Sequence, residues 1–319
     1  MKRFIIQPND ANQRMDKFLT KAVPLLPKSL LYKYLRTKRI KCNGKRCEIS
    51  TRLQQGDVVE LYINDEFFAP ADALLAFLRA GSMPELVYED ENLLLVNKPA
   101  GLVVHEDESG TPDTLINRVL KYLYEKGEYR PEQEASFTPA LCNRIDRNTS
   151  GIVLCAKNAE ALRVLNEKIK LHQMDKYYRC IVHGTPKPAS ARVTLYMTKD
   201  SEEKKIHVYK KPVPDGRSMI TEYQTLCSAQ GYSLLEVHLI TGRTHQIRAT
   251  MHYLGHPLVG EGKYGTAANR LGFSHQALCA YAVSFSFTGE PTFLDYLSGK
   301  RFCLKEEPFI QYFPAYSQK

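Results

Sequence analysis

Four short segments of this 319-residue sequence gather side chains that can do chemistry. The most pointed is Asn143-Arg144-Ile145-Asp146-Arg147-Asn148-Thr149-Ser150-Gly151-Ile152-Val153-Leu154, where a polar, charged loop runs straight into an apolar strand. Arg144 and Arg147 flank Asp146, and nearby positive charge favours the charged form of a carboxyl group. An ionised carboxylate serves as nucleophile or base. The plain alternative is a solvated loop aspartate in a weak surface pair. In Lys176-Tyr177-Tyr178-Arg179-Cys180-Ile181-Val182-His183-Gly184 a tyrosine stands at the mouth of a strand. There it can stack on a base, handle a proton, or simply pack half-buried. Thr241-Gly242-Arg243-Thr244-His245-Gln246-Ile247-Arg248-Ala249-Thr250-Met251-His252-Tyr253-Leu254-Gly255-His256-Pro257 reads as a short helix after a strand. Ile247, Thr250, Met251 and Leu254 share one face; His245, Arg248 and His252 share the other. The three histidines lack the H-E-x-x-H spacing of a zinc site, so no metal is expected. No G-x-S-x-G accompanies them either, which leaves a hydrolase built on His245 or His252 without a nucleophile. The fourth segment, Val96-Asn97-Lys98-Pro99-Ala100-Gly101-Leu102-Val103-Val104-His105, breaks one strand and turns into another.

The elements that must position these residues divide into two regions. Met15, Phe18, Leu19 and Ala22 recur at helical spacing, and Pro24 and Pro27 end that helix. Ser29 is placed to cap a second helix whose inner side is Leu30, Leu31, Tyr34 and Leu35. Asn43-Gly44 between short strand-like runs predicts a tight hairpin, and Gly56-Asp57 turns into the strand Val58 to Tyr62. Residues 12–63 therefore read as a small module. Residues 64–84 read as a linker, with a short helical stretch from Ala71 to Arg79 between Pro70 and Gly81. From residue 85 to 319 short apolar runs alternate with turns and irregularly placed helices, and Pro214-Asp215-Gly216 predicts a hairpin joining Ile206–Lys211 to Met219–Thr225. The fold class expected is α+β: a mixed, largely antiparallel sheet flanked by helices and loops, plus a small N-terminal α/β domain.

Charge narrows the partner. The net charge is +9. Nine basic residues and one acid, Glu48, lie between Lys28 and Arg52, so this stretch carries nearly the whole excess. Charge focused on one short element beside a turn is an electrostatic footprint for phosphates. Arg39, Lys41, Lys45 and Arg46 sit at the predicted hairpin and are the expected contacts. No run approaches the ~20 apolar residues of a membrane span, and the N-terminus lacks a secretory apolar core; a cytoplasmic protein that does not engage a membrane is the expectation. The eight cysteines are scattered without a C-x-x-C pair and read as free thiols.

The module resembles the small RNA-binding domain shared by a ribosomal small-subunit protein, tyrosyl-tRNA synthetases and several RNA-modifying enzymes. The matching residues are Arg14-Met15-Asp16-Lys17-Phe18-Leu19, Arg39 to Lys45, and Gly56-Asp57-Val58-Val59. From about Glu85 to Pro291 the chain resembles the RluA-type pseudouridine synthases. Asn143 to Gly151 follows the family's His-Arg-Leu-Asp-x-x-Thr-Ser-Gly, with Asn143 where histidine is usual. Lys176-Tyr177-Tyr178 matches Lys-x-Tyr, Gly242 to Arg248 matches Gly-Arg-Thr-His-Gln-Ile-Arg in full, and Gly255-His256-Pro257 through Lys263-Tyr264-Gly265 fits as well.

The resemblance implies isomerisation of specific uridines in structured RNA, with no cofactor. Ribosomal large-subunit RNA is the favoured target and transfer RNA the alternative. Asp146 would be the catalytic carboxylate, Arg248 its partner, and Tyr178 the residue that stacks on the uracil or serves in proton removal. Arg144, Thr149 and His245 would meet the RNA. A monomer is the default. The rival reading is an RNA-binding ribosome-assembly factor without activity.

Overall fold

The computed structural model of the protein describes residues 1–68, 75–106, 110–200, 206–265 and 269–315. Its N-terminal part is built from β1 (Lys2–Ile5), α1 (Met15–Ala22), α2 (Lys28–Arg36), β2 (Ile40–Cys42), β3 (Lys45–Arg46) and β4 (Val58–Leu61). The strands form one antiparallel sheet in the order β1-β4-β2-β3. Met15, Phe18 and Leu19 of α1 and Leu31 and Leu35 of α2 are buried against Ile40, Val59 and Leu61, so the 3.6-residue spacing meets a period-2 face. Asn43 and Gly44 take φ of 54° and 72° and join β2 to β3 with Cys42 opposite Lys45. Two successive positive φ values make the tight turn that matches strand twist. Two details differ from the sequence reading. Strand β1, before residue 12, belongs to this sheet. Ser29 lies inside α2; Pro27 precedes the first turn, and proline suits that place because it has no N–H to leave unsatisfied.

Of the expected helical stretch from Ala71 to Arg79, residues 71–74 lie outside the described residues, and Ala76–Arg79 forms a single 3₁₀ turn. The second part then contains β5 (Leu86–Glu89), β6 (Leu93–Lys98), α3 (Leu115–Glu125), β7 (Ala140–Leu141), β8 (Ser150–Ala156), α4 (Ala159–Lys170), β9 (Met174–His183), β10 (Ser190–Lys199), β11 (Ile206–Tyr209), β12 (Arg217–Ala229), β13 (Tyr232–Leu239), α5 (Gln246–Tyr253), β14 (Leu278–Phe285) and β15 (Arg301–Cys303). Among the described residues these strands form one 11-stranded sheet ordered β11-β10-β12-β13-β9-β14-β8-β6-β5, with β15 on β14 and β7 on β8. Every pairing is antiparallel except β8 with β14. This is the mixed, largely antiparallel α+β architecture expected.

The continuous apolar run of β6 reflects burial on both faces. Leu94 and Val96 enter a core with Leu115, Val119 and Leu123 of α3 and Ile247 and Met251 of α5. Leu93 and Leu95 enter the opposite core with Ala161 and Leu165 of α4. Caps set the helix starts: the Thr114 hydroxyl accepts from Asn117 N, and the Asn158 side chain accepts from Ala161 N.

The expected hairpin from Ile206–Lys211 to Met219–Thr225 does not form, because β10 lies between β11 and β12. The turn at Pro214-Asp215-Gly216 is present, with Gly216 N donating to Val213 O at 2.9 Å. Pro212 and Pro214 cannot donate to a ladder, so this stretch becomes a corner that carries the chain across β10. All eight cysteines are free. Among the described residues no helix is long and apolar enough to cross a membrane.

The parallel pairing depends on one glycine. Gly151 lies opposite Ala280 at φ +109°, and a Cβ there would stand 2.6 Å from the Ala280 nitrogen and closer still to its carbonyl oxygen. Gly151→Ala is therefore expected to lower unfolding free energy by about 2–4 kcal/mol, through overpacking and backbone strain. Urea titration measures this; a variant within ~0.5 kcal/mol of wild type would contradict the packing argument.

Candidate active site

The loop that carries Asp146 runs between β7 and β8 and is held from three sides. Cys142 N donates to Leu154 O at 2.7 Å, and Leu154 N donates to the Asn143 side-chain oxygen at 2.8 Å. Asn143, the departure from the family pattern, thus pins the loop to β8. Within the loop, Thr149 N donates to Asp146 O at 3.0 Å. Lys98, at the end of β6, is wholly buried, and its Nζ donates to Pro99 O, Leu102 O and Arg147 O at 2.9, 2.7 and 2.8 Å. Gly101 N donates to the same Arg147 carbonyl. Burial pushes the Lys98 amine down to about 8, and the Asp146 charge opposes that shift. An ammonium with three carbonyl acceptors staples the Lys98–Leu102 turn to the residue after Asp146.

The cation that meets Asp146 comes from 102 residues away: Arg248 Nη1 donates to Asp146 Oδ2 at 2.9 Å. The same guanidinium makes two bonds to Glu261, Nε to Oε2 at 2.6 Å and Nη2 to Oε1 at 2.8 Å. Burial alone would raise the Glu261 carboxyl; Arg248 outweighs it and holds the group below its usual range. Burial would lower the Arg248 guanidinium, and Glu261 with Asp146 raises it instead. Glu261 also accepts from the backbone N–H groups of Lys263 and Tyr264 at 2.7 and 3.2 Å. The Tyr264 hydroxyl bonds His245 Nδ1 at 2.8 Å, and His245 Nε2 stands 3.8 Å from Asp146 Oδ2. Asp146, Arg248, Glu261, Tyr264 and His245 therefore close a ring of contacts.

A cleft of about 1010 Å³ opens over this ring. Asp146, Tyr178, Arg248, Arg144, Thr149 and His245 all line it. Tyr178 reaches it from β9, where alternation points Lys176 and Tyr178 to the cleft side. Burial, and then the Asp146 charge, pushes the Tyr178 phenol above its usual range. Arg144 is exposed. Thr149 is 2% exposed and its hydroxyl accepts from Gln276 at 3.4 Å, so it also braces the loop from within. Arg39, Lys41, Lys45 and Arg46 stand apart from the cleft, on the N-terminal sheet and its approach. Arg39, Lys45 and Arg46 are exposed, and Lys41 lies 5.2 Å over the Tyr62 ring. The sequence reading missed Glu261 and Lys98 as parts of the site. Their signals were faint: one acid in the glycine-punctuated run Gly260-Glu261-Gly262, and one lysine before a proline. Among the described residues no group of three or more His, Cys, Asp or Glu side chains is placed to hold a metal ion.

The profile of the family described as RNA pseudouridylate synthase matches residues 92–253, which span the Asp146 loop, β9 and α5. An uncharacterized RNA pseudouridine synthase of Mycoplasma genitalium is 33% identical over 291 residues, 89% of this chain and 88% of that protein. The ribosomal large subunit pseudouridine synthase C of Rickettsia felis is 34% identical over 267 residues, 80% of this chain and 82% of its own. Among solved structures, the human RNA pseudouridylate synthase domain containing 4 protein shares the fold, with a TM-score of 0.55 at 20% identity over 77% of this chain and 96% of that one. Matched by the family profile across half its length and by relatives across most of it, this chain belongs to the RNA pseudouridylate synthase family.

Proposed function

We propose that the protein converts specific uridines of structured RNA, foremost large-subunit ribosomal RNA, to pseudouridine, with Asp146 as the catalytic carboxylate. The observation that carries this reading is the Asp146–Arg248 pair in the lining of a cleft that also holds Tyr178, with Glu261 buried against the same guanidinium. The reaction breaks the bond from nitrogen 1 of uracil to the ribose, turns the ring and rejoins it through carbon 5. The uridine must first leave its stack, at a cost of a few kcal/mol. Tyr178 offers an aromatic face to hold the turned-out base. Asp146 starts glycosidic cleavage, as nucleophile on the ring or as base on the sugar, aimed by its bond to Arg248. Arg144, exposed where it lines the cleft, helps hold the flipped-out state by filling space or contacting phosphate. The ribosomal target is supported by the Rickettsia relative, which is named a ribosomal large subunit pseudouridine synthase; transfer RNA is the alternative. The protein acts as a monomer in the cytoplasm.

The N-terminal sheet docks a second stretch of the same RNA through Arg39, Lys41, Lys45 and Arg46. Linking two binding surfaces raises effective affinity without new contacts at the reacting base.

Two measurements test this reading. Asp146→Asn keeps the size of the side chain and removes its charge. Turnover on RNA extracted from cells lacking the gene, read by carbodiimide mapping, is expected to fall by at least ~10³-fold while RNA affinity stays within about 3-fold. Persistent pseudouridine formation by that variant would remove Asp146 from the role. The double substitution Lys45→Ala with Arg46→Ala alters two exposed side chains and leaves the core intact. The slope of log affinity against log salt is expected to become shallower by about 1.5–2. An unchanged slope would take these residues out of the phosphate contacts.

A further inference from the structure

The two faces of the N-terminal sheet differ in kind. Ile40, Val59 and Leu61 point to α1 and α2 and are buried there. Their neighbours in sequence point the other way, because successive side chains of a strand alternate. The register lines these up. Arg3 of β1 lies opposite Glu60 of β4, Glu60 opposite Lys41 of β2, and Lys41 opposite Arg46 of β3. One row across all four strands therefore carries three cations and one acid on the face away from the helices. Arg3 and Arg46 are exposed; Glu60 and Lys41 are half-buried.

Apolar and aromatic groups flank that row. Tyr62 follows β4, two residues beyond Glu60 and on the same side of the sheet. Its ring centroid stands 5.2 Å from Lys41 Nζ. Its backbone is fixed, since Tyr62 N donates to Arg39 O at 2.8 Å. On the other flank Ile5 and Val58 lie opposite one another. Tyr62 is 42% exposed and Ile5 55%, and neither enters the core under the helices. The bonds that tie this part to the catalytic part run through Asn9, Asp10 and Gln13, outside the four strands.

The make-up of this face discriminates between forms of RNA. A duplex is met through its phosphates and 2′-hydroxyls, for which cations and polar groups suffice. An unpaired strand offers base faces as well, and these stack on aromatic rings with little regard to sequence. Four-stranded sheets that read unpaired RNA carry aromatic side chains on an open face for this purpose. Here an exposed tyrosine stands beside a row of cations, so one surface meets both the base and the charged backbone.

We propose that the open face of the N-terminal sheet holds an unpaired segment of RNA, with a base stacked on Tyr62 and the adjoining phosphates on Arg3, Lys41 and Arg46. The inference deepens the reading of this sheet as an RNA-docking surface and rests on it. Ile5 and Val58 give the next nucleotide an apolar floor. The contact selects the form of the docked RNA, not its sequence.

The test titrates the full chain by fluorescence anisotropy against two fluorescein-labelled probes. One is an oligoadenylate of roughly 12 nucleotides, within the range of one single-strand site; the other is the same strand annealed to oligouridylate. The free strand contains no uridine and so offers the cleft no substrate. Tyr62→Ala is expected to weaken oligoadenylate binding about 5–100-fold, the loss of one stacked base, and to leave duplex binding within about 2-fold of wild type. Its salt slope should match wild type, because a lost stack releases no counterions. Tyr62→Phe keeps the ring and should keep the affinity. Arg3→Ala should make the slope on oligoadenylate shallower by about 0.7, one phosphate contact on a single strand. A Tyr62→Ala affinity for oligoadenylate within about 2-fold of wild type would overturn the proposal. So would equal losses on both probes, the behaviour of a substitution that disturbs the sheet or of a face that takes duplex. If Lys45→Ala with Arg46→Ala leaves the salt slope on both probes unchanged, the docking reading falls and the inference falls with it. A changed slope in that double variant, with no effect of Tyr62→Ala, removes the inference alone.

Discussion

The buried guanidinium of Arg248 is the interaction on which the rest of the catalytic part depends. Taking an arginine out of water costs several kcal/mol unless its donors are met. Here Glu261 meets two of them and Asp146 a third. Removing one partner of such a pair costs about 3–5 kcal/mol, because the other charge is left buried and short of company. The three groups come from three places: the loop before β8, the first turn of α5, and the turn between α5 and β14. They meet only when β14 lies between β8 and β9. That is why the approach of β8 to β14 at Gly151 matters to chemistry as well as to packing. The glycine following the Asp146 loop is where the sheet admits the strand that returns from Glu261.

A second buried cation, Lys98, holds the loop that carries Asp146. Lys98 has carbonyl oxygens where Arg248 has carboxylates, so its charge is balanced by dipoles of the loop it holds. The loop that carries Asp146 is thus held through its backbone by Lys98, and the carboxylate itself by the ion pair with Arg248. Groups fixed before the substrate arrives need no reorganisation when charge develops, and such preorganisation is commonly the largest catalytic term. The polar ring through Tyr264 and His245 extends the same rigidity to a group that can carry a proton.

Much of this was legible in the sequence because local rules and tertiary demand agree. The helical spacing of Met15, Phe18 and Leu19, the Asn43-Gly44 turn and the strand after Asp146 each have one good solution, and the structure adopts it. The gathering of Asp146, Tyr178, Arg248, Arg144, Thr149 and His245 around one cleft follows the order of motifs. What periodicity could not supply is pairing. Ile206–Tyr209 and Arg217–Ala229 look like two arms of a hairpin, but a strand takes its partner from the whole sheet, and β10 intervenes. Glu261 stayed hidden for a related reason: nothing within ten residues of it announces a buried guanidinium. Arg144 and Arg147 drew attention as neighbours of Asp146 in sequence, whereas Arg248, which donates to its carboxylate, is 102 residues away.

A set of hydrogen bonds joins the two parts of the chain. Asp10 Oδ1 accepts from the Ser136 amide and hydroxyl at 3.0 and 2.6 Å, Gln13 donates to the same hydroxyl, and Asn9 bridges Glu134 and the Ala159 amide at the start of α4. Directional bonds of this kind specify an orientation as well as an attachment. On the proposed function, the distance from the basic hairpin to the cleft is then a property of the protein. Effective concentration is greatest when the span between two binding surfaces matches the ligand, so an RNA gains from both only if its own fold holds them at that distance. On the same proposal, phosphate contacts at the hairpin would carry no sequence information. Selection of one uridine among many therefore falls to the shape of the RNA and to the ease with which that base leaves its stack.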